Sequence, residues 1–144
     1  MSTESTMDQE QRRSIPWASI LIAGIASIVL SMAANLVVRS IAIRAADIPG
    51  GFEPMSSAGN VVTASISYGV FAIIAYTITY RFARDLRRTW LIVGVAGLVV
   101  SFIPALTTSS QDGATTAGVA TLVIMHIVAA AITIPLMLRL AEDR

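Results

Sequence analysis

Residues 15–38 read IPWASILIAGIASIVLSMAANLVV, an apolar stretch without a charged side chain. An α-helix rises about 1.5 Å per residue and the hydrocarbon core of a bilayer is about 30 Å thick, so this stretch can cross a membrane as one helix. Three further apolar stretches follow. A backbone in lipid must satisfy its own hydrogen bonds, as a helix does. The sequence therefore predicts an all-α fold, a four-transmembrane-helix bundle with antiparallel up-down neighbours, with helices at about 15–38 (or to 46), 57–80, 90–108 and 116–138.

The composition agrees with a membrane protein and excludes several functional classes. Of the 144 residues, 55% are hydrophobic and only 13% are charged, whereas soluble domains carry about 25% charge. Residues 15–140 are predicted to form one membrane domain, preceded by a polar, disordered cytoplasmic tail at 1–14. The net charge of +1 argues against a nucleic-acid partner. The absence of cysteine removes disulfides, thiolate metal sites and iron–sulfur ligation. We expect no cofactor and no metal.

The arginines predict the orientation of the chain. All ten cations are arginine, and most lie in the N-terminal tail, the second connection and the C-terminal tail. By the positive-inside rule, both termini are expected in the cytoplasm and the bundle in the plasma membrane. Arg84, Arg87 and Arg88 in the second connection are candidates for contact with anionic lipid head groups. An aromatic belt is expected at this interface, formed by Trp17, Tyr76, Tyr80, Phe82 and Trp90.

Small and polar residues mark the faces on which helices are expected to pack. The first helix carries such residues at every fourth position, namely Ser19, Ala23, Ser27, Ser31, Asn35 and Arg39. The other helices offer similar faces: Ser65 and Gly69; Gly94, Gly97 and Ser101; Gly118, Ala129, Ala130 and Thr133. Arg39 is expected to snorkel to the interface or to pair with Asp47 or Glu53, and the alternative is a role as an anion receptor. Asp112 or Thr115 is expected to cap the fourth helix, and the hydroxyls of Thr107 and Thr108 to bond back to the preceding turn after Pro104.

A few polar side chains lie deep in the predicted spans and are candidate ligand-binding residues. Counting along the helices places Ser27, Tyr68 and His126 near the bilayer midplane and Asn35 nearer the outer end. An ionisable group inside a membrane is a functional hypothesis by default. His126 could be a structural clamp hydrogen-bonded to Tyr68 or a serine, a contact for a ligand such as a quinone, part of a proton relay, or a haem or metal ligand. Asn35 could make a packing hydrogen bond or contact a substrate.

Three short motifs resemble a family of small bacterial four-helix integral membrane proteins catalogued only as a domain of unknown function. The motifs are Ala34-Asn35-Leu36-Val37-Val38, Ser101-Phe102-Ile103-Pro104 and Met125-His126-Ile127-Val128-Ala129-Ala130. The likeness extends from Trp17 to about Leu140. It implies a four-helix membrane fold and supplies no activity. It also makes Asn35, Pro104 and His126 the first positions to test.

Three functional hypotheses remain open from the sequence. The leading one is a non-enzymatic accessory or scaffold protein whose partners are the lipid bilayer and either further copies of the chain or other membrane helices. The second is a small carrier or binder of a lipophilic or proton-linked, quinone-like ligand at the polar group around His126. The third is a membrane-embedded enzyme with His126 as base, although no nucleophile, second acid or metal partner stands at a matching depth.

Overall fold

A computed structural model of the chain describes residues 16–46 and 48–142. Four long helices dominate it: α1 (Trp17–Ala45), α3 (Ala58–Phe82), α4 (Leu86–Thr107) and α5 (Thr116–Glu142). A short helix, α2 (Glu53–Ser56), lies between α1 and α3, and a 3₁₀ turn, Thr108–Ser110, follows α4. The predicted all-α fold is confirmed. The predicted tail at 1–14 and the residue Asp47 lie outside the described residues.

All four long helices are long and apolar enough to cross a membrane. The candidate spans are Trp17–Ala45, Ala58–Phe82, Leu86–Ser110 and Thr116–Leu140. Their outward faces expose large apolar side chains such as Ile25, Phe71 and Ile103, which are suited to contact with lipid tails rather than water. The chain is a multi-pass membrane protein.

Side-chain caps set where three of the helices begin, and at α3 the cap is Ser57 Oγ, which accepts from the N–H of Asn60 at 3.2 Å. The carboxylate of Asp85 accepts a hydrogen bond from the backbone N–H of Arg88 at 3.0 Å, so α4 begins at Leu86, one turn before its predicted start at Trp90. Thr115 Oγ1 accepts from the N–H of Gly118 at 3.1 Å, which confirms the predicted threonine cap of α5.

Threonine hydroxyls at the end of α4 bond back to the preceding turn, as predicted. Thr107 Oγ1 donates to the carbonyl of Pro104 at 2.8 Å, and Thr108 Oγ1 donates to the carbonyl of Ala105 at 2.6 Å. Both hydroxyls bond back to carbonyls of the last turn, and the carbonyl of Pro104 also accepts the backbone N–H of Thr108.

The helices pack in the lateral order α3, α1, α5, α4, and each neighbour in that series runs antiparallel to the next. The contact between α3 and α1 is a reciprocal pair of glycine positions: Ile73 lies against Gly24, and Ile28 lies against Gly69. Ile134 of α5 lies against Gly94 of α4 in the same way. By contrast, α3 and α4 contact each other at few positions, although only three residues connect them. The bundle is therefore open between α3 and α4.

The predicted stripe on α1 is confirmed as a buried face at its first five positions, whereas the sixth, Arg39, is only partly buried. Ser19, Ala23, Ser27, Ser31 and Asn35 are all buried. Ser31 Oγ lies 3.4 Å from Thr133 Oγ1 of α5, so a hydroxyl pair links the two most extensively packed helices.

One end of the bundle, which we call the terminal end, is where α1 begins and α5 ends. A buried cluster there contains Ile20, Leu86 and Met137 together with Tyr76 and Trp90, which are 0% and 2% exposed. The two rings meet edge to face at 4.9 Å, and Trp90 Nε1 donates to the carbonyl of Ile134 at 3.0 Å. The prediction that Tyr76 and Trp90 face the lipid head groups is therefore wrong, because both point into the bundle and tie α3 and α4 to its core.

Trp17 and Phe82 do point outwards at the terminal end, as expected for an aromatic belt. Tyr80 is partly buried and packs against the same cluster.

The opposite end, which we call the loop end, is closed by the segment between α1 and α3. Phe52 and Met55 are buried there with Val61, Leu122 and Met125. The aromatic ring of Phe52 lies against the backbone at Gly118. This segment folds back into the bundle instead of extending into water.

Arg39 holds this segment in place. Its Nε donates to the carbonyl of Met55 at 3.0 Å and its Nη2 to the carbonyl of Ser56 at 3.3 Å. The predicted pairing with Glu53 is not formed. The guanidinium instead satisfies carbonyls at the C-terminal end of α2.

Candidate functional site

A cavity of about 600 Å³ lies inside the bundle where α3 and α4 separate. All four long helices contribute to its wall, and Pro54 of α2 lies at its loop end. Most of the wall is apolar or made of small residues, and its polar members include Ser27, Asn35, Tyr68 and His126. The volume lies within the range of about 300–1,000 Å³ that is typical of small-molecule sites.

The cavity exists because α4 presents small residues where α3 does not approach. Gly97 has open space in front of it, since a Cβ built there would meet nothing within 4 Å. The next small residue on this face, Ser101, donates its hydroxyl to the carbonyl of Leu98 at 2.7 Å. The face predicted to pack against another helix therefore does so only at Gly94, and further along it lines the cavity.

His126 meets Tyr68 across the cavity, as predicted, but without a hydrogen bond between them. The two rings pack edge to face, with centroids 5.3 Å apart and an interplanar angle of 74°. His126 Nδ1 lies 2.7 Å from the carbonyl oxygen of Leu122, one turn earlier on α5. The predicted hydrogen-bonded clamp to Tyr68 or a serine is therefore wrong.

The hydrogen bond to Leu122 fixes the tautomer of a neutral His126. A carbonyl oxygen only accepts, so Nδ1 carries the proton and Nε2 is left with a lone pair. Nε2 is buried and has no hydrogen-bond partner within the described residues. The histidine thus offers one unused acceptor inside the bundle.

Asn35 offers a second unused acceptor. Its side chain is only 7% exposed, and its Oδ1 is buried without a hydrogen-bond partner in the described part of the chain. The amide oxygen therefore does not make the packing hydrogen bond that the sequence favoured. A buried, unpaired polar group of this kind costs about 1–3 kcal/mol.

The helix register brings Asn35, rather than Ser27, close to the level of His126. Ser31 and Thr133 face each other across antiparallel α1 and α5. Asn35 lies one turn from Ser31 towards the loop end, the direction in which His126 lies from Thr133. Ser27 lies one turn the other way, so helical rise puts it on the order of 15 Å from the level of His126.

Ser27 also has its own hydrogen bond. It lines the terminal-end half of the cavity and donates to the carbonyl of Ala23 at 2.8 Å. The prediction that Ser27, Tyr68 and His126 share one depth is therefore wrong for Ser27, although all three line the same cavity.

The candidate head-group residues lie elsewhere. Arg84, Arg87 and Arg88 are exposed at the terminal end, around the start of α4, and contact with anionic lipid remains a prediction. Within the described ranges, no group of three or more His, Cys, Asp or Glu side chains lies close enough together to hold a metal ion.

Comparison with known proteins adds a family and no activity. No curated protein and no solved structure matches the chain. The model of a family of unknown function, DUF6069, matches residues 11–143. Because this match covers nearly the whole sequence, the chain belongs to the DUF6069 family.

Proposed function

We propose that this membrane protein binds a small lipophilic molecule, of the general kind that quinones represent, in the cavity between α3 and α4. The observation that carries the proposal is a pair of buried acceptors without a partner in the described residues, Asn35 Oδ1 and His126 Nε2, on two side chains that line a largely apolar cavity. Ligand sites combine an apolar wall with a few polar groups that fix orientation. In lipid, no solvent water is at hand to pair such groups, so a ligand is the natural partner.

The opening between α3 and α4 supports entry from the bilayer. These two helices contact each other at few positions, and a lipophilic molecule already concentrated in the membrane could enter there without crossing water. The loop end is closed by Phe52 and Met55, which are fully or almost fully buried. The terminal end is closed by Tyr76 and Trp90. Lateral access between two helices therefore suits this architecture better than access from either aqueous side.

Binding suits the site better than catalysis. A general base needs a partner that takes part in the reaction, such as a nucleophile or a second acid. His126 Nδ1 donates to Leu122 and leaves a lone pair on Nε2, but Nε2 has no hydrogen bond to a second reactive group among the described residues, and Tyr68 contacts the ring only edge to face. The hydroxyl of Ser27 is committed to Ala23. We therefore propose a non-enzymatic protein.

Filling the cavity at Gly97 tests the proposal. Gly97→Leu adds a side chain where a Cβ meets open space, so the variant should fold and lose binding. The wild type and the variant would be extracted directly into nanodiscs, and lipophilic molecules that co-purify would be identified by mass spectrometry. A non-lipid molecule retained by the wild type and lost in Gly97→Leu supports the proposal. Identical contents in both proteins, at equal fold and yield, overturn it.

A second candidate function is supported by the same opening. The small residues Gly97 and Ser101 border the cavity on α4, and small residues let another transmembrane helix approach closely. A non-enzymatic scaffold or accessory protein would use this opening for a partner helix or for a second copy of the chain. Gly97→Leu would then dissociate a co-purified protein or an oligomer instead of releasing a small molecule, which separates the two functions.

We further propose that the terminal end faces the cytoplasm in the plasma membrane. The exposed Arg84, Arg87 and Arg88 at that end support this orientation. A cysteine added at the N-terminus would report it, since the native chain has no cysteine. Labelling of intact cells by a membrane-impermeant maleimide would overturn the orientation, and labelling only after the cells are opened would support it.

A further inference from the structure

Two buried acceptors on residues that line the cavity specify what the ligand must carry. Among the described residues that line the cavity, Asn35 Oδ1 and His126 Nε2 are buried without a hydrogen-bond partner, and both are acceptors. From this we infer that the ligand presents a hydrogen-bond donor, a hydroxyl or an N–H group, at the loop-end half of the cavity. The inference rests on the proposed binding function and narrows its substrate class.

Several donors of the wall are already engaged. Ser101 and Ser27 donate to carbonyls of their own helices, and Trp90 Nε1 donates to the carbonyl of Ile134. Asn60 Nδ2 donates to the carbonyl of Glu53 at 2.6 Å and to Ser56 Oγ at 3.2 Å. The Tyr68 hydroxyl both donates and accepts and so does not discriminate between ligands.

A lipophilic ligand with only acceptors would leave both wall atoms unpaired. An oxidised quinone, a ketone and an ether are such molecules, whereas a quinol, an alcohol and an amide with a free N–H each bring a donor. The site therefore favours the reduced, hydroxyl-bearing member of a quinone pair over the oxidised one. A head group with two donors could pair with both Asn35 and His126.

The depth of the cavity gives the ligand a direction. The polar head belongs at Asn35 and His126, and the apolar remainder extends towards Trp90 at the terminal end. Trp90 bonds to Ile134, which follows His126 on α5 by two turns, so the two levels are about 12 Å apart. A chain of about twelve carbons reaches that far.

Two brominated probes that differ only in the donor test this inference. The first is 11,12-dibromododecan-1-ol and the second is its methyl ether, which lacks the hydroxyl proton. Bromine quenches tryptophan fluorescence at short range. Trp17→Phe removes the exposed tryptophan and leaves Trp90 as the only one, because the sequence contains two. Saturable quenching of Trp90 would be titrated in nanodiscs of saturated phosphatidylcholine.

The alcohol should bind about fivefold more tightly than the ether, the ratio expected for one net hydrogen bond. In a protein with Asn35→Leu and His126→Phe, where the phenyl ring keeps the contact with Tyr68, the ratio should fall to about one. Preference for the alcohol that survives in this variant overturns the inference. Equal saturable binding of both probes to the wild-type site, abolished by Gly97→Leu, overturns the inference and leaves the binding function standing.

Saturable quenching by neither probe overturns the binding function and this inference with it. The comparison between the two probes in the Trp17→Phe protein alone decides the question if the double variant fails to fold.

Discussion

Replacing Gly24 by alanine should destabilise the bundle, because the close contact between α1 and α3 at this position requires a residue without a side chain. A Cβ built on Gly24 would overlap Cγ1 and Cδ1 of Ile73, whereas Cβ of Ile73 stays at 3.7 Å, an ordinary contact. Isoleucine has little rotamer freedom in a helix, so Ile73 cannot easily swing away. Overpacking of this kind costs about 1–3 kcal/mol.

The higher helix propensity of alanine partly offsets the cost of overpacking, and this gives a second variant in which the sign of the effect should change. Alanine in a helix interior is favoured over glycine by about 0.5–1 kcal/mol. In an Ile73→Ala background the overlapping atoms are gone, so Gly24→Ala should become neutral or stabilising by about this amount. A double-mutant cycle should therefore give a coupling free energy of about 2 kcal/mol between the two positions.

Reversible unfolding in mixed micelles of mild detergent and dodecyl sulfate, followed by circular dichroism, measures these differences. Gly97→Ala is the matched control, since it makes the same chemical change on α4 where nothing lies within 4 Å. The packing argument fails if Gly24→Ala proves as harmless as Gly97→Ala, or if the cycle shows no coupling between Gly24 and Ile73.

Three further predictions use the same unfolding assay. Asn35→Leu should raise the free energy of unfolding by about 1 kcal/mol because it removes a buried acceptor without a partner; a loss of that size would instead indicate a packing hydrogen bond. Phe52→Ala should lower it by about 3–5 kcal/mol, since the fully buried ring closes the loop end, and a loss below 1 kcal/mol would contradict that role. Asp85→Ala should cost about 1 kcal/mol through loss of the hydrogen bond to Arg88 N–H, while Asp85→Asn, which keeps an acceptor, should cost less.

The membrane architecture could be predicted from the sequence because its signals are local. Span length depends on runs of apolar residues, and the buried face of α1 depends on a four-residue spacing that a helix converts into one side. Ser19, Ser27 and Asn35 were identified by that spacing, and all three are buried.

The inward position of Tyr76 and Trp90 could also have been found from spacing. Tyr76 follows Gly69 by seven residues, and Trp90 precedes Gly97 by seven, so each ring lies on the small-residue face of its helix. The position of these two residues near a membrane interface favoured an aromatic belt. The side of the helix on which a residue lies decides whether its ring points into the bundle or outwards, and both rings lie on the inner side.

The cavity could not be predicted, because a small-residue face has two uses that look alike in sequence. Gly94 and Gly97 lie on the same face of α4, yet one receives Ile134 and the other faces open space. Whether a small residue receives a side chain from another helix or faces a cavity depends on the distance between helices that are far apart in the chain. The three-residue connection between α3 and α4 favoured close packing of those helices, whereas α4 packs on α5 instead.

A helical bundle can keep such a cavity more easily in lipid than in water. In water, an apolar opening between helices would tend to close, since burial of its walls is favourable. In a bilayer that driving force is absent, and close packing with hydrogen bonds must hold the helices together. On α4 such contacts lie towards the ends, at Trp90 and Gly94 on one side and at Ala105 on the other. The middle of α4 is therefore free to stand away from α3, and at that point a lipophilic molecule can compete with lipid on equal terms for the apolar wall. Its advantage over lipid must then come from Asn35 and His126.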